Sequence, residues 1–152
     1  MKLMILRHGH AVADAPADNL RQLSARGELE VHKIAQAHYD EIKAASVIVH
    51  SPYLRALQTA EIASQYCTGP LQSNSLLVPN GRPDHVIEFL YSLAQEHDSV
   101  LMVSHQPLVG TLVDELGGFE PGRYRMSTAS LACFECDPLA RNCCSLEWLR
   151  HS

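Results

Sequence analysis

The chain predicts an α/β domain in three layers, a mostly parallel sheet flanked by helices, and three observations carry that expectation. Short apolar runs stand at Leu3 to Leu6, Ser46 to His50 and Ser99 to Val103. They are continuous rather than alternating, which is the pattern of strands buried on both faces. Between them lie longer segments with apolar residues at helical spacing, as crossover helices between parallel strands require. Each run also ends on a polar tip: Arg7-His8-Gly9, Ser51-Pro52 and Ser104-His105. At 152 residues there is room for one substantial core and little for a second module, so 1–152 reads as a single domain. No repeat, low-complexity segment or linker interrupts it.

Taken in order, the first strand stops at Arg7-His8-Gly9, where Gly9 allows a sharp turn and a close backbone approach to an anion. Ala11 to Leu23 is small and polar and reads as a loop over the crevice. Ser24 caps a helix expected to run through Glu28 to about Ala44, with Val31, Ala35, His38 and Ile42 on its apolar stripe. His38 is then a core or boundary residue and His32 a solvated one. After the second strand, Ser51 reads as an N-cap and Pro52 as the first residue of a helix reaching about Gln65. Leu54, Leu57 and Ile62 form its buried stripe, while Arg55 and Thr59 share another face. An arginine in a first helical turn opposes the helix dipole, so Arg55 suits a bound anion better than it suits the helix.

Cys67 to Arg82 is rich in Gly, Pro, Ser and Asn and reads as a loop with one edge strand over Leu76 to Val78. Pro83 opens a helix carrying Val86, Ile87, Leu90, Leu93 and Ala94 at helical period. The third strand ends on Ser104-His105, and Pro107 starts a helix with Leu108, Val109, Leu112, Val113 and Leu116 inside, closed by Gly117-Gly118. Arg123 to Ser130 is a polar loop. Leu131 to Phe134 and Ser145 to Leu149 are expected as an antiparallel edge joined around Asp137-Pro138.

Composition excludes several classes of function. A net charge of −5 with no basic run argues against a nucleic-acid partner. No apolar run approaches the roughly 18 residues of a membrane span, and no signal-peptide pattern precedes Arg7, so a cytoplasmic monomer is expected. The five cysteines are odd in number and expected to be reduced. Cys133, Cys136, Cys143 and Cys144 look like a zinc set on paper. Strand geometry sends Cys133 and Cys136 to opposite faces, and Cys143 and Cys144 likewise, so packed thiols and no metal are expected.

The three polar tips converge on one crevice if the sheet is doubly wound, which brings two histidines and two arginines around one anion. Arg7 can hold two phosphate oxygens in its planar fork, and His8 offers a ring nitrogen as nucleophile. Four segments, Leu-Arg-His-Gly at 6–9, Arg-Gln-Leu-Ser-Ala-Arg-Gly at 21–27, Ser-Pro-Tyr-Leu-Arg-Ala-Leu-Gln-Thr-Ala at 51–60 and Val-Ser-His-Gln-Pro-Leu-Val at 103–109, follow one another across most of the chain. In this order they resemble the histidine phosphatase superfamily, and in particular its short bacterial SixA-type branch of phosphohistidine phosphatases. The resemblance implies the phosphoglycerate-mutase-like fold without a large cap. It makes His8 the nucleophile, with Arg7 and Arg55 clamping the phosphoryl oxygens and His105 across the phosphate. Gly9 and Arg21 complete the pocket, and no cofactor is needed.

One departure bears on substrate. Larger members place a Glu after a mid-chain strand to protonate an alkoxide, whereas the corresponding segment here is Leu-Leu-Val-Pro-Asn-Gly-Arg-Pro-Asp at 76–84. Losing a general acid costs about 10²–10⁴-fold on a phosphate ester. An imidazole already protonated on its far nitrogen leaves neutral and needs less help. The pattern therefore points to phosphohistidine on a phosphotransfer protein. A small-molecule phosphomonoesterase with Asp84 as acid, or a phosphate-binding module without turnover, are the alternatives. His10 replaces the acidic or amide residue commoner after Arg-His-Gly, either tuning the response to pH or facing solvent.

Overall fold

A computed structural model describes residues 1–152. Six strands form one sheet in the order β3-β2-β4-β1-β5-β6, with β1 at Lys2–Arg7, β2 at Val47–His50, β3 at Leu71–Ser73, β4 at Ser99–Ser104, β5 at Leu131–Cys136 and β6 at Cys144–Arg150. The pairs β1/β4, β2/β4 and β2/β3 are parallel, and β5 runs antiparallel to both β1 and β6. The sheet is thus mixed, with the antiparallel pair at one edge as expected.

The continuous apolar runs are explained by burial on both faces. Along β1, Leu3 and Ile5 enter one core while Met4 and Leu6 enter the other, and β4 divides Val100 and Met102 from Leu101 and Val103 in the same way. Helix α4 (Pro83–Ala94) and helix α5 (Leu108–Gly117) cover the first face with Val86, Leu90, Leu112 and Val113. Helix α1 (Ala25–Ala37), the short helix α2 (Tyr39–Lys43) and helix α3 (Leu54–Ala63) cover the second with Val31, Ile34, Ile42, Ala56 and Ala60. No helix is long and apolar enough to cross a membrane.

Several boundaries differ from the expectation. Ser24 does cap α1, accepting from Gly27 N, but the helix breaks at His38 (φ −121°, ψ 38°) instead of reaching Ala44. There the His38 ring stacks on Trp148 with centroids 4.3 Å apart, a contact from the far sheet edge. His32 is half-buried, its Nδ1 2.6 Å from the Tyr66 hydroxyl. The edge strand falls on Leu71–Ser73, while Ser75–Leu77 is a 3-10 turn because the Asn74 side chain accepts from Leu76 N and curls the chain. The buried stripe of α3 is Arg55, Ala56, Thr59, Ala60, Ile62 and Ala63, with Leu54 and Leu57 only half-buried. Alanines at that face let α3 lie close to the sheet. At the other end of the fold Gly118 closes α5 in the left-handed conformation (φ 72°), as the Gly-Gly pair predicted.

Cys133 and Cys136 do face opposite cores, and Cys136 pairs across the strands with Cys144, both thiols free and buried.

Candidate active site

The carboxyl ends of β1, β2 and β4 lie side by side, so their polar tips share one crevice. His8 and His105 face each other with ring centroids 5.1 Å apart. From the first turn of α3, Arg55 brings its Nε to 3.4 Å from His8 Nε2. Arg7 stands beside them, its Nη1 donating to the Met126 carbonyl at 2.8 Å. These four residues come together from positions as far apart as 7 and 105.

The tautomer of His8 follows from its partner. Its Nδ1 lies 2.7 Å from the Gly9 carbonyl, which can only accept, so Nδ1 carries the proton and Nε2 presents a lone pair. Burial pushes the His8 pKa down to about 4; the Gly9 hydrogen bond opposes this, and the charges of Arg55 and Arg7 add to it. The ring is therefore neutral at pH 7, as a nitrogen nucleophile must be. His105 is pushed down to about 3 by burial and by the charges of His8 and Arg55. Its Nε2 lies 2.7 Å from Ser51 Oγ, which also accepts from Tyr53 N. The helix itself starts at Leu54 and not at Pro52, and the Ser51 hydroxyl serves Tyr53 N and His105 together.

Positive charge dominates. Arg55 is 4 % exposed, and Arg7 has no carboxylate partner and is pushed below its ordinary pKa by burial and by Arg55. Two buried polar atoms here, Arg7 Nε and His105 Nδ1, find no partner inside the protein. A half-buried Arg7 without a carboxylate partner, beside buried ring and guanidinium nitrogens left unpaired, marks an anion site, since unpaired buried polar groups are costly.

Two predicted positions sit differently. The Gly9 N–H donates to Thr59 Oγ1 at 3.1 Å, so it is not directed at an anion. What Gly9 allows is the approach of α1: a Cβ there would stand 2.8 Å from the Gly27 carbonyl oxygen. Arg21 is tied into the loop, its Nε on the Val12 carbonyl and its Nη1 on Asp18 at 3.1 Å. Asp84, the alternative acid, is exposed and bound by Arg82 at 3.0 Å, which holds its carboxyl below the usual range. It is an anion near neutrality, the wrong state for donating a proton. His10 does not simply face solvent: it is half-buried, its Nδ1 2.7 Å from Ser24 Oγ at the cap of α1.

Residues missed in the sequence complete the picture. The Asp18 carboxylate accepts from Arg55 Nη2 at 3.2 Å and from Arg21, and its backbone carbonyl accepts from Arg55 Nη1 at 2.7 Å. Thr59 joins Gly9 to α3, donating to the Arg55 carbonyl. Tyr53 packs its ring edge-on to His105 and lies under the Arg55 guanidinium. Sequence signals for these are slight: Asp18 and Arg21 stand three apart in a turn, and Thr59 shares a helix face with Arg55.

Comparison with known proteins agrees with this geometry. Residues 3–78 match the model of the histidine phosphatase superfamily (branch 1). The phosphohistidine phosphatase SixA of Escherichia coli is 37% identical over 119 residues, covering 76% of this chain and 74% of that protein. A SixA homolog of Haemophilus influenzae is 34% identical over 128 residues, covering 78% of each chain. The structure of SixA complexed with tungstate superposes with a TM-score of 0.88 at 31% identity, over 99% of this chain and 97% of that one. With Arg-His-Gly at the tip of β1, a second histidine facing it from β4 and relatives at this identity, the chain belongs to the histidine phosphatase superfamily.

Proposed function

We propose that this protein is a phosphohistidine phosphatase that hydrolyses the phosphoramidate bond of a histidine-containing phosphotransfer protein through a phospho-His8 intermediate. One observation carries the reading: a neutral His8, pinned through Nδ1 to the Gly9 carbonyl, presents its Nε2 lone pair beside Arg55 and opposite His105. Nε2 attacks phosphorus, the substrate P–N bond breaks, and its electron pair leaves with the departing imidazole. Arg7 and Arg55 hold the equatorial oxygens, where charge must be stabilised in the transition state. His105 contacts the phosphoryl group from the other side. Water then attacks phospho-His8 and releases inorganic phosphate.

The substrate class follows from proton supply. Asp84 is bound by Arg82, and Asp18 is held below the usual carboxylate range by Arg21 and Arg55, so neither is poised as an acid. A ring nitrogen whose far N–H is already in place departs neutral, whereas an alkoxide does not. The relatives support the reading, being phosphohistidine phosphatases by name, one of them holding tungstate, a phosphate-like oxyanion. The five free cysteines suit a protein working in the reducing cytoplasm.

Hydrolysis of a phosphohistidine-bearing phosphotransfer domain, p-nitrophenyl phosphate and phosphoserine by wild type and His8→Ala tests this. Preference for phosphohistidine, with an acid-labile phosphoenzyme that His8→Ala cannot form, is the expected result. Efficient turnover of phosphoserine would redirect attention to Asp84, and turnover of nothing would leave a binding module.

A further inference from the structure

Asp18 stands apart from the other carboxylates of the molecule. It alone bonds to the arginines of the site, to Arg55 at 3.2 Å and Arg21 at 3.1 Å. Its charge reaches the centre, where it opposes the effect of the arginines on His105. Its side chain is nevertheless 58% exposed, on a loop bordering an open hollow of about 440 Å³ lined by Ala13, Ala15, Ala17 and Arg21. An ionised carboxylate is a poor neighbour for a phosphate dianion, and a pocket serving phosphate alone would be better without it. The structure keeps it there through three hydrogen bonds from two arginines.

We propose that Asp18 reads the leaving group: its carboxylate accepts a hydrogen bond from the far ring nitrogen of the phosphorylated imidazole and so selects P–N substrates over phosphate esters. This rests on the phosphohistidine reading and deepens it. Each carboxylate oxygen has a second lone pair beyond the one Arg21 or Arg55 uses, and the group is more than half exposed, so an entering imidazole can reach it. In the substrate, the ring carries phosphorus on one nitrogen and hydrogen on the other. A carboxylate bound to that N–H stabilises the cationic ring, which is the form that expels imidazole. When Nε2 of His8 displaces it, the P–N electron pair becomes the lone pair of the departing ring, and the proton stays on the far nitrogen. The product is neutral imidazole, with no proton drawn from the protein. The same negative charge disfavours substrates that carry a further anionic group beside the phosphate. Asp18 thus takes the place of the missing acid by keeping a proton where the substrate already has it.

The test compares wild type, Asp18→Asn and Asp18→Glu in kcat/KM on a phosphohistidine-bearing phosphotransfer domain and on p-nitrophenyl phosphate, with inhibition by tungstate measured alongside. The ratio of the two kcat/KM values is expected to fall about tenfold in Asp18→Asn, the worth of one charge-assisted hydrogen bond, and to recover in part in Asp18→Glu. Tungstate inhibition is expected to hold or tighten, because the oxyanion site loses a repulsive neighbour. An equal fall on both substrates with weaker tungstate inhibition would make Asp18 a brace for the arginines and overturn the proposal. So would an unchanged ratio. A wild type that fails on the phosphohistidine domain defeats the underlying reading, whereas an active wild type with an unchanged ratio in Asp18→Asn defeats this inference alone.

Discussion

The two walls of the crevice are built on different principles. One wall is the tips of β1 and β4, where His8 and His105 are 6% and 1% exposed and locked by partners within 2.8 Å. The other is the loop 11–23, where Asp18 and Leu20 are about half open to solvent and Asp18 is held by Arg21 and Arg55. A buried wall can shift pKa values and fix a tautomer because it excludes water. An exposed wall cannot, but it can meet whatever is attached to the phosphate. On the proposed reading, chemistry sits on the buried side and selection on the exposed side, the division expected when loops are mounted on a stable scaffold.

Substitutions can break or sharpen this contrast. The largest effect belongs to Arg55, which joins both walls through His8 and Asp18. Arg55→Ala is expected to lower kcat about 10²–10³-fold, as for the loss of one donor to a developing oxyanion, in steady-state assays on either substrate.

A smaller effect, confined to the buried wall, is acid sensitivity. Both histidines bind a proton less readily folded than unfolded, His8 near 4 and His105 near 3 against an ordinary 6.5. Stability is therefore complete above pH 6.5 and is lost as pH falls below it. The slope approaches about 1.4 kcal/mol per pH unit per histidine. Urea unfolding at pH 7.5, 5.5 and 4.5 is expected to show this loss, and His105→Asn to flatten it. An equal loss in the variant would mean that other groups dominate. At the small end, Leu20→Ala on the exposed wall is expected to leave stability within about 0.5 kcal/mol in the same measurement.

How much of this was legible in the chain depends on the range of the interactions involved. The strands at 2–7, 47–50 and 99–104 were, because burial on both faces leaves an unbroken apolar run. The caps at Ser24 and Gly118 were, because a cap is set within a few residues. The break at His38 was not, since Trp148 lies 110 residues away in the chain. Nor was the start of α3 at Leu54, or that the Ser51 hydroxyl, which does accept from Tyr53 N, also meets His105 from the tip of β4. Helical spacing placed Leu54 and Leu57 inside by hydrophobicity, but Arg55 and the small Ala56 and Ala60 occupy that face. A buried guanidinium is legible only with its surroundings.

By itself the sequence determined the α/β class, the strands at the centre of the sheet, and the identity of the four residues that meet at their tips, because periodicity and local motifs encode them. Only the tertiary structure decided that Arg55 is buried, that Gly9 makes room for α1, that Asp84 is paired with Arg82, and that Asp18 pairs with Arg55 and Arg21. These depend on which groups from distant segments come within hydrogen-bonding distance, and that distance exists only once the sheet has brought the segments together.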